Sequence, residues 1–403
     1  MDNYSDNAPG APDQSRGMVA KDGKMYFINN MGGSAGVKGT GRILVVDGAT
    51  GVMLDPINIV DDHLFETADS TGAYSFSATL SFNDLKLDNA GHFLMGGCVS
   101  GRQPVQIYKL DIATGVATEI INERLVDNEE WGQQLDTATT KWRFDAFNVY
   151  GDVDGNAIIM AADANSFYAY KWTIENGVAG RAERINCTPE PTDVSLIVKD
   201  GGLTVGAFGT APQIFPVDFN YFYVDGWNTL PMLFDMDGTL MEDFATCPTG
   251  VAVPMAGADT CTMNMGHNGL CEFQIGDEYF LVMAATNTVG KPTSAFVVYK
   301  FADAAKSFAE IEPMWYFPKA GMGAATNGCR TAVPSVEVNG TKATLYVYTN
   351  NNGYGVYEMT GKEGTGIKNI EGNAEVLKKV ENGQVYIIKN GVTYTVLGTV
   401  VRK

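Results

Sequence analysis

Apolar and polar positions alternate in short runs along most of the chain, and Asn, Asp and Gly interrupt them at turn-like intervals. The stretch from Phe82 to Asn122 displays the pattern in full. Asp84 to Leu87 alternates polar and apolar residues, and Asp88-Asn89-Ala90-Gly91 turns the chain into an apolar run from His92 to Gly97. After the loop Ser100-Gly101-Arg102, Val105 to Leu110 reads as a third strand, and Ile112-Ala113-Thr114-Gly115 turns it into a fourth, Val116 to Ile121. Asn and Gly supply the positive-φ positions that tight hairpins need. No stretch has the apolar spacing of a long amphipathic helix, so the fold class is all-β.

The same strand-turn-strand-loop-strand-turn-strand order recurs in six segments: Arg16 to Val60, Phe82 to Asn122, Arg143 to Ile185, Asp193 to Phe244, His267 to Pro318 and Arg330 to Thr360. A lone four-stranded sheet exposes two faces and two edges, whereas several stacked around an axis bury the faces and shelter the edges. The units therefore resemble the blades of a β-propeller. Six blades are expected. Seven is the alternative, if the sixth unit, which lacks an obvious fourth strand, is completed by the N-terminal segment or a further blade exists. The expected boundaries are an extension over 1–15, a propeller over 16–360, a linker over 361–375 and a C-terminal β tail over 376–403. Insertions at Asp61 to Ser77, Asp127 to Thr140 and Ala211 to Asn228 are expected to carry specificity beside the channel mouth.

In the tail, Gln384 to Lys389 and Val392 to Leu397 flank Asn390-Gly391, a hairpin signal. The segments NGQVYIIKNG and YTVLGTVV resemble the C-terminal tails of secreted Bacteroidetes proteins, including the type IX sorting class. The whole chain is similar to secreted propeller proteins of that phylum. The resemblance implies an extracellular, cell-surface or periplasmic location and leaves the activity open. The opening MDNYSDNAPGAPDQS has neither the basic nor the apolar region of a signal peptide, and the expectation is that a leader has been removed.

Composition narrows the function classes. The net charge of −19 argues against a nucleic-acid partner, because phosphate binding needs a concentrated basic face. No apolar run approaches the roughly 18–20 residues of a spanning helix, so no transmembrane segment is expected. Six cysteines, at 98, 187, 247, 261, 271 and 329, form no CxxC pair and have no His at zinc-ligand spacing; no metal and no cofactor are expected. Buried free thiols are the favoured state, and Cys247–Cys261 or Cys261–Cys271 bridges are the alternatives.

The segment LFDMDGTL, Leu233 to Leu240, resembles the nucleophile motif of haloacid-dehalogenase phosphatases, in which Asp235 would be the nucleophile and Asp237 the acid/base. It aligns with VVDGATGVML and YKLDIATGVATEI, so the expected structure is a hairpin turn. Asp152-Val153-Asp154-Gly155 is likewise read as a turn rather than a calcium loop. The chain has three histidines and no GxSxG elbow, which disfavours serine-hydrolase chemistry.

Candidate chemistry gathers at the starts of the innermost strands: Asp84, Asp145, Asp193, His267 and Glu272 as weak acid/base candidates, with Arg16 and Arg330 as anion-holding groups. The segment Pro216 to Asn228 holds Phe219, Tyr221, Phe222, Tyr223 and Trp227, the aromatic and amide mixture of a sugar platform, of which Phe219, Tyr221, Tyr223 and Trp227 are the binding candidates. Trp131 and Trp142 carry the same reading more weakly. The expected function is a recognition module that binds a glycan or a protein partner at the loop face. The alternatives are a lyase or hydrolase that acts on carbohydrate through channel-mouth carboxylates, and a purely structural scaffold.

Overall fold

Each Asn, Asp or Gly turn reverses a strand whose apolar residues must find cover on both faces of a sheet, and packing the next sheet against that face provides it. In the computed structural model, which describes residues 16–29, 41–60, 64–68, 74–76, 80–135, 142–187, 207–226, 229–243, 252–254, 260–262, 269–287, 294–318, 332–349, 353–361, 376–381, 384–389, 392–395 and 400–402, this yields a six-bladed β-propeller. The innermost strands are Met18–Lys21, Leu80–Leu87, Phe147–Gly151, Gln213–Pro216, Leu270–Ile275 and Ala332–Asn339. Each neighbours the next in space, and the sixth neighbours the first, so the ring closes.

The second blade pairs Leu80–Leu87, Phe93–Ser100, Val105–Asp111 and Val116–Glu123 in antiparallel order, as its alternation predicts. The sixth has three strands among the described residues, Ala332–Asn339, Lys342–Thr349 and Gly353–Thr360. Met18–Lys21 starts blade 1 instead of completing blade 6. Closure is by packing and side-chain bonds. Ala20 N donates to Ser335 Oγ at 3.0 Å and Gly23 N to Glu337 Oε2 at 3.1 Å. Met18, Phe27 and Leu44 of blade 1 share an apolar layer with Val333, Tyr346 and Tyr348 of blade 6.

Similar layers fill the other joints between blades. Removing each such Val, Leu or Phe from water contributes roughly 1.5–3 kcal/mol. Trp131 and Trp142 belong to the layer shared by the first three blades, where both are buried beside Tyr170 and Phe144. Trp131 pins the adjoining Gly132–Leu135 segment to the core, and neither buried ring offers a platform.

The fourth blade departs from its sequence reading. Pro216 to Asn228 was expected to lie in the insertion Ala211 to Asn228 and not in the strands of the blade. Gln213–Pro216 and Tyr221–Gly226 are themselves the first two strands, followed by Thr229–Asp235 and Leu240–Asp243, while residues 188–206 lie outside the described residues. The aromatic run misleads because five rings in sequence mimic a loop platform, yet the adjacent Phe222 and Tyr223 are both buried, each in the apolar layer on a different face of the blade.

Turns between the third and fourth strands share one device. Asp47 Oδ1 accepts from Ala49 N and Thr50 N, Asp111 Oδ1 from Ala113 N, and Asp235 Oδ1 from Asp237 N at 3.0 Å and Thr239 N at 2.8 Å. The phosphatase-like motif is thus a self-capped hairpin turn. Asp152 to Gly155 is a turn as well, joining Phe147–Gly151 to Ala157–Ala162.

Residues 363–403 form a separate compact unit. Its described strands, Val376–Glu381, Gln384–Lys389, Val392–Thr395 and Val400–Arg402, make one four-stranded antiparallel sheet, in which the expected hairpin is the central pair.

Candidate functional site

In an antiparallel blade whose first strand starts at one end, the long connections, from second to third strand and from blade to blade, collect at that end, and the short hairpin turns collect at the other. Asp84, Asp145 and Arg16 sit toward the long-connection end, where each acid clasps the next blade. Asp84 Oδ2 accepts from Phe147 N at 3.1 Å, while its Oδ1 holds Lys86 Nζ at 3.0 Å and Leu85 N at 2.9 Å. Asp145 Oδ2 accepts from Ala211 N at 3.1 Å. Its Oδ1 takes Arg143 Nε at 3.0 Å, a second Arg143 nitrogen, Arg16 at 3.6 Å and the Cys98 thiol at 3.6 Å. Asp225 repeats the device on blade 4, accepting from Gly269 N at 3.1 Å, and burial pushes its carboxyl up to about 8.

Toward the first turn of blade 5, Glu272 accepts from Tyr223 OH at 3.1 Å and from Lys306 Nζ. Farther from the axis, Glu123 takes Trp172 Nε1 at 2.8 Å and Ala182 N at 2.9 Å, and Glu242 takes Phe308 N at 3.0 Å. The carboxylates read from the sequence as acid/base candidates are, where described, fastenings between blades. Asp193, His267, Arg330 and Trp227 lie outside the described residues.

Among the described residues, the thiols give no nucleophile either. Burial pushes Cys98 up to about 12, with the Asp145 charge adding to it, and does the same to Cys271. Cys98, Cys187 and Cys271 are free, which excludes the Cys261–Cys271 bridge; Cys247 and Cys329 lie outside the described residues. One group of metal-capable side chains occurs among the described residues, Asp88, His92 and Asp152. Asp88 is already committed: its Oδ1 accepts from His92 N at 2.7 Å, and its Oδ2 meets His92 Nδ1 at 2.9 Å and Val153 N at 3.0 Å.

The aromatic candidates separate by face. Tyr223 and Phe222 are fully buried, Tyr223 stacking on Phe308 and Phe222 on Phe234. Tyr223 therefore belongs to the joint between blades 4 and 5 and not to a platform. Phe219 and Tyr221, by contrast, are 49% and 38% exposed at the first turn of blade 4. Phe219 is propped edge-on by Tyr150 at 5.1 Å between ring centres. With Asn156, Ala157, Thr173, Ile174, Glu175 and Asn176 it lines a groove of about 420 Å³ at the short-turn end of blades 3 and 4. Asn156 Oδ1 accepts from Asn176 N at 3.1 Å, which fixes the amide at the rim.

No family model and no curated protein matches the chain. Solved structures resemble it at low identity. An endo-arabinase from Bacteroides thetaiotaomicron is 9% identical with a TM-score of 0.40, covering 87% of this chain and 95% of its own. A subtype N10 neuraminidase-like protein of A/little yellow-shouldered bat/Guatemala is 12% identical with a TM-score of 0.42, covering 85% and 94%. The Cps50 (Swd1) β-propeller domain of Myceliophteria thermophila is 9% identical with a TM-score of 0.38, covering 94% and 93%.

The groove combines an exposed ring, amides and a carboxylate, and Glu175 and Asn176 at its edge are both exposed. Such a surface can cover the apolar face of a sugar ring while the rim exchanges hydrogen bonds with hydroxyls. Sequence reasoning named Phe219 and Tyr221 but missed Asn156, Thr173, Glu175 and Asn176, which belong to a strand end and the turns of a different blade. Only the twin turn signals Asp154-Gly155 and Asn176-Gly177 hint that those residues share an end of the sheet.

Proposed function

We propose that the protein is an exported recognition module that binds a glycan in the Phe219 groove. The observation that carries the reading is the exposed Phe219 ring set among Asn156, Thr173, Glu175 and Asn176. The engagement of Asp84, Asp145 and Glu272 in joints between blades favours binding over a carboxylate-driven lyase or hydrolase. Export rests on the resemblance of the tail to those of secreted Bacteroidetes proteins.

The test is a binding screen of the purified chain against host, plant and microbial glycans, repeated with Phe219→Ala, Asn156→Ala and Trp227→Ala. A hit weakened about tenfold or more by Phe219→Ala, with an unchanged melting curve, is the expected outcome, since stacking contacts contribute about 0.5–1.5 kcal/mol and rim bonds add to them. A hit that survives Phe219→Ala but is lost in Trp227→Ala places the site elsewhere in the aromatic stretch. No hit in any glycan class moves the reading to a protein partner.

A further inference from the structure

Five of the six blades carry a fourth strand on the outside: Ile57–Asn58, Val116–Glu123, Glu183–Asn186, Leu240–Asp243 and Glu312–Phe317. Blade 6 stops at Gly353–Thr360, and no described strand pairs with the outer edge of that strand. Gly361 N donates to Thr341 O at 2.9 Å, which sets the phase of the ladder. The register continues inward with Thr360 opposite Lys342 and Met359 opposite Ala343. Gly355, Tyr357 and Met359 therefore bond to the neighbouring strand, whereas Val356, Glu358 and Thr360 turn their N–H and C=O groups outward. Such a row is a template for one more strand.

The blades on either side supply apolar walls to this edge. On blade 5, Trp315 lies opposite Val298, which belongs to the layer packed on blade 6, so Trp315 shares the face turned toward blade 6. Phe317, on the same strand, meets Tyr357 of the edge strand at 4.6 Å between ring centres, and Trp315 lies 6.1 Å from Phe317. On blade 1, Met53 bridges to Val46, which is buried in the layer shared with blade 6. The neighbouring Gly51 O accepts from Tyr354 OH of the edge strand at 3.3 Å. Trp315 and Met53 are each 40% exposed. At the joint of blades 3 and 4, by contrast, the fourth strand of blade 3 contributes Ile185 to the shared layer. Blade 6 lacks that contribution, and its neighbours keep apolar side chains in solvent beside the gap.

We infer that the outer edge of blade 6 docks an extended segment of a partner protein, which adds as the fourth strand with apolar residues at successive positions, one against Trp315 and the next against Met53, and basic residues at its ends. Main-chain bonds to Val356, Glu358 and Thr360 supply affinity, and the two walls supply selectivity. Charge identifies the occupant. The segments that bound the gap, residues 52–58, Glu312–Phe317 and Gly353–Thr360, hold Asp55, Glu312 and Glu358 and no lysine or arginine. All three carboxylates are exposed, and among the described residues only Glu358 has a cation partner, Lys342 at 2.8 Å. The same edge of a second copy would bring the same carboxylates. Residues 1–15 of the chain itself carry Asp2, Asp6 and Asp13 with no lysine or arginine. Like charge disfavours both of those occupants, and a basic partner strand meets no such penalty.

The experiment is fluorescence-anisotropy titration of the full chain with labelled peptides of about eight residues, each a run of valine, tyrosine and isoleucine between terminal lysines. A version with glutamate ends and a version with proline at alternate positions are the controls. Val356→Pro and Trp315→Ala are the variants. Val356→Pro removes an outward N–H and leaves the ladder to Lys342–Thr349 in place, as proline on a sheet edge does. Melting curves establish that each variant remains folded, and sedimentation gives the oligomeric state. The expected result is saturable binding of the lysine-ended peptide to a monomeric chain, weakened about tenfold by each variant, by the proline version and by glutamate ends. If Val356→Pro does not fold, Trp315→Ala and the peptide comparisons still decide. No binding at about millimolar concentration, insensitivity to Trp315→Ala, or equal affinity for lysine and glutamate ends overturns the inference. A dimer that Val356→Pro dissociates assigns the edge to a second copy, and binding that appears only after deletion of residues 1–15 assigns it to that segment; either outcome overturns the partner strand.

Discussion

At the scale of single residues, buried carboxylates decide how the ring is fastened. Asp145, buried at the start of blade 3, compensates Arg143 and Arg16 and accepts the Ala211 N–H. Asp145→Ala is expected to destabilise the propeller by about 3–5 kcal/mol, because two guanidinium groups and a buried N–H lose their acceptor; denaturant unfolding measures it. Asp225 behaves differently because its partners include no cation among the contacts described. Burial raises its folded value to about 8 from an ordinary 3.8. The folded state thus keeps a proton that the unfolded chain releases. The stability this group contributes is full below about pH 4 and is lost as pH rises toward about 8. Asp225→Asn keeps an acceptor for Gly269 N and removes the titration. The expected outcome is that the variant gains on the parent by on the order of a few kcal/mol between about pH 4 and pH 9, read from paired urea melts. A constant difference across that range would remove Asp225 as the titrating group.

At the scale of elements, the hairpin turns do more than reverse the chain. Gly115, at φ 76°, sits so close to the outer strand of blade 1 that a Cβ there would lie 2.1 Å from Asn58 O, and its own carbonyl accepts from Val60 N at 3.0 Å. Gly238, at φ 88°, repeats the approach against Asn186 O of blade 3. Gly115→Ala is expected to cost at least about 1–3 kcal/mol through backbone strain, with the clash adding to it, and a depressed melting temperature reads it out. The existence of these turns was legible in Asp111-Ile112-Ala113-Thr114-Gly115 because the local chain needs a capping carboxylate and a positive-φ position. Their contact with a neighbouring blade was not legible, because it joins residues far apart in sequence. The same reason explains Asn156 and Asn176, which meet Phe219 only after two blades stack.

At the scale of the molecule, the ring stands or falls on closure between blades 1 and 6, where Ser335 and Glu337 receive the backbone of blade 1. Deleting residues 332–403 is expected to abolish cooperative unfolding, because the apolar face of Met18, Phe27 and Leu44 loses its cover. Deleting only residues 363–403 is expected to leave the propeller transition unchanged in calorimetry, since the tail is a compact unit of its own. A lowered transition in the shorter deletion would mean that the tail stabilises the ring.

The sequence by itself determined the strand class and the repeat, and favoured six blades over seven, because alternation and turn chemistry act within a few residues of chain. It also placed Asp235 in a turn, since a strand-turn-strand frame leaves no helix to build a phosphatase site. Only the tertiary structure decided which polar and aromatic residues were available for function. Asp84, Asp145, Glu272 and Tyr223 have the composition of a site, but each is spent on a neighbouring blade. Phe219 stands out because packing left its ring in solvent. Availability depends on what the rest of the fold has already claimed, and that is a property of the packed ring, not of any stretch of chain.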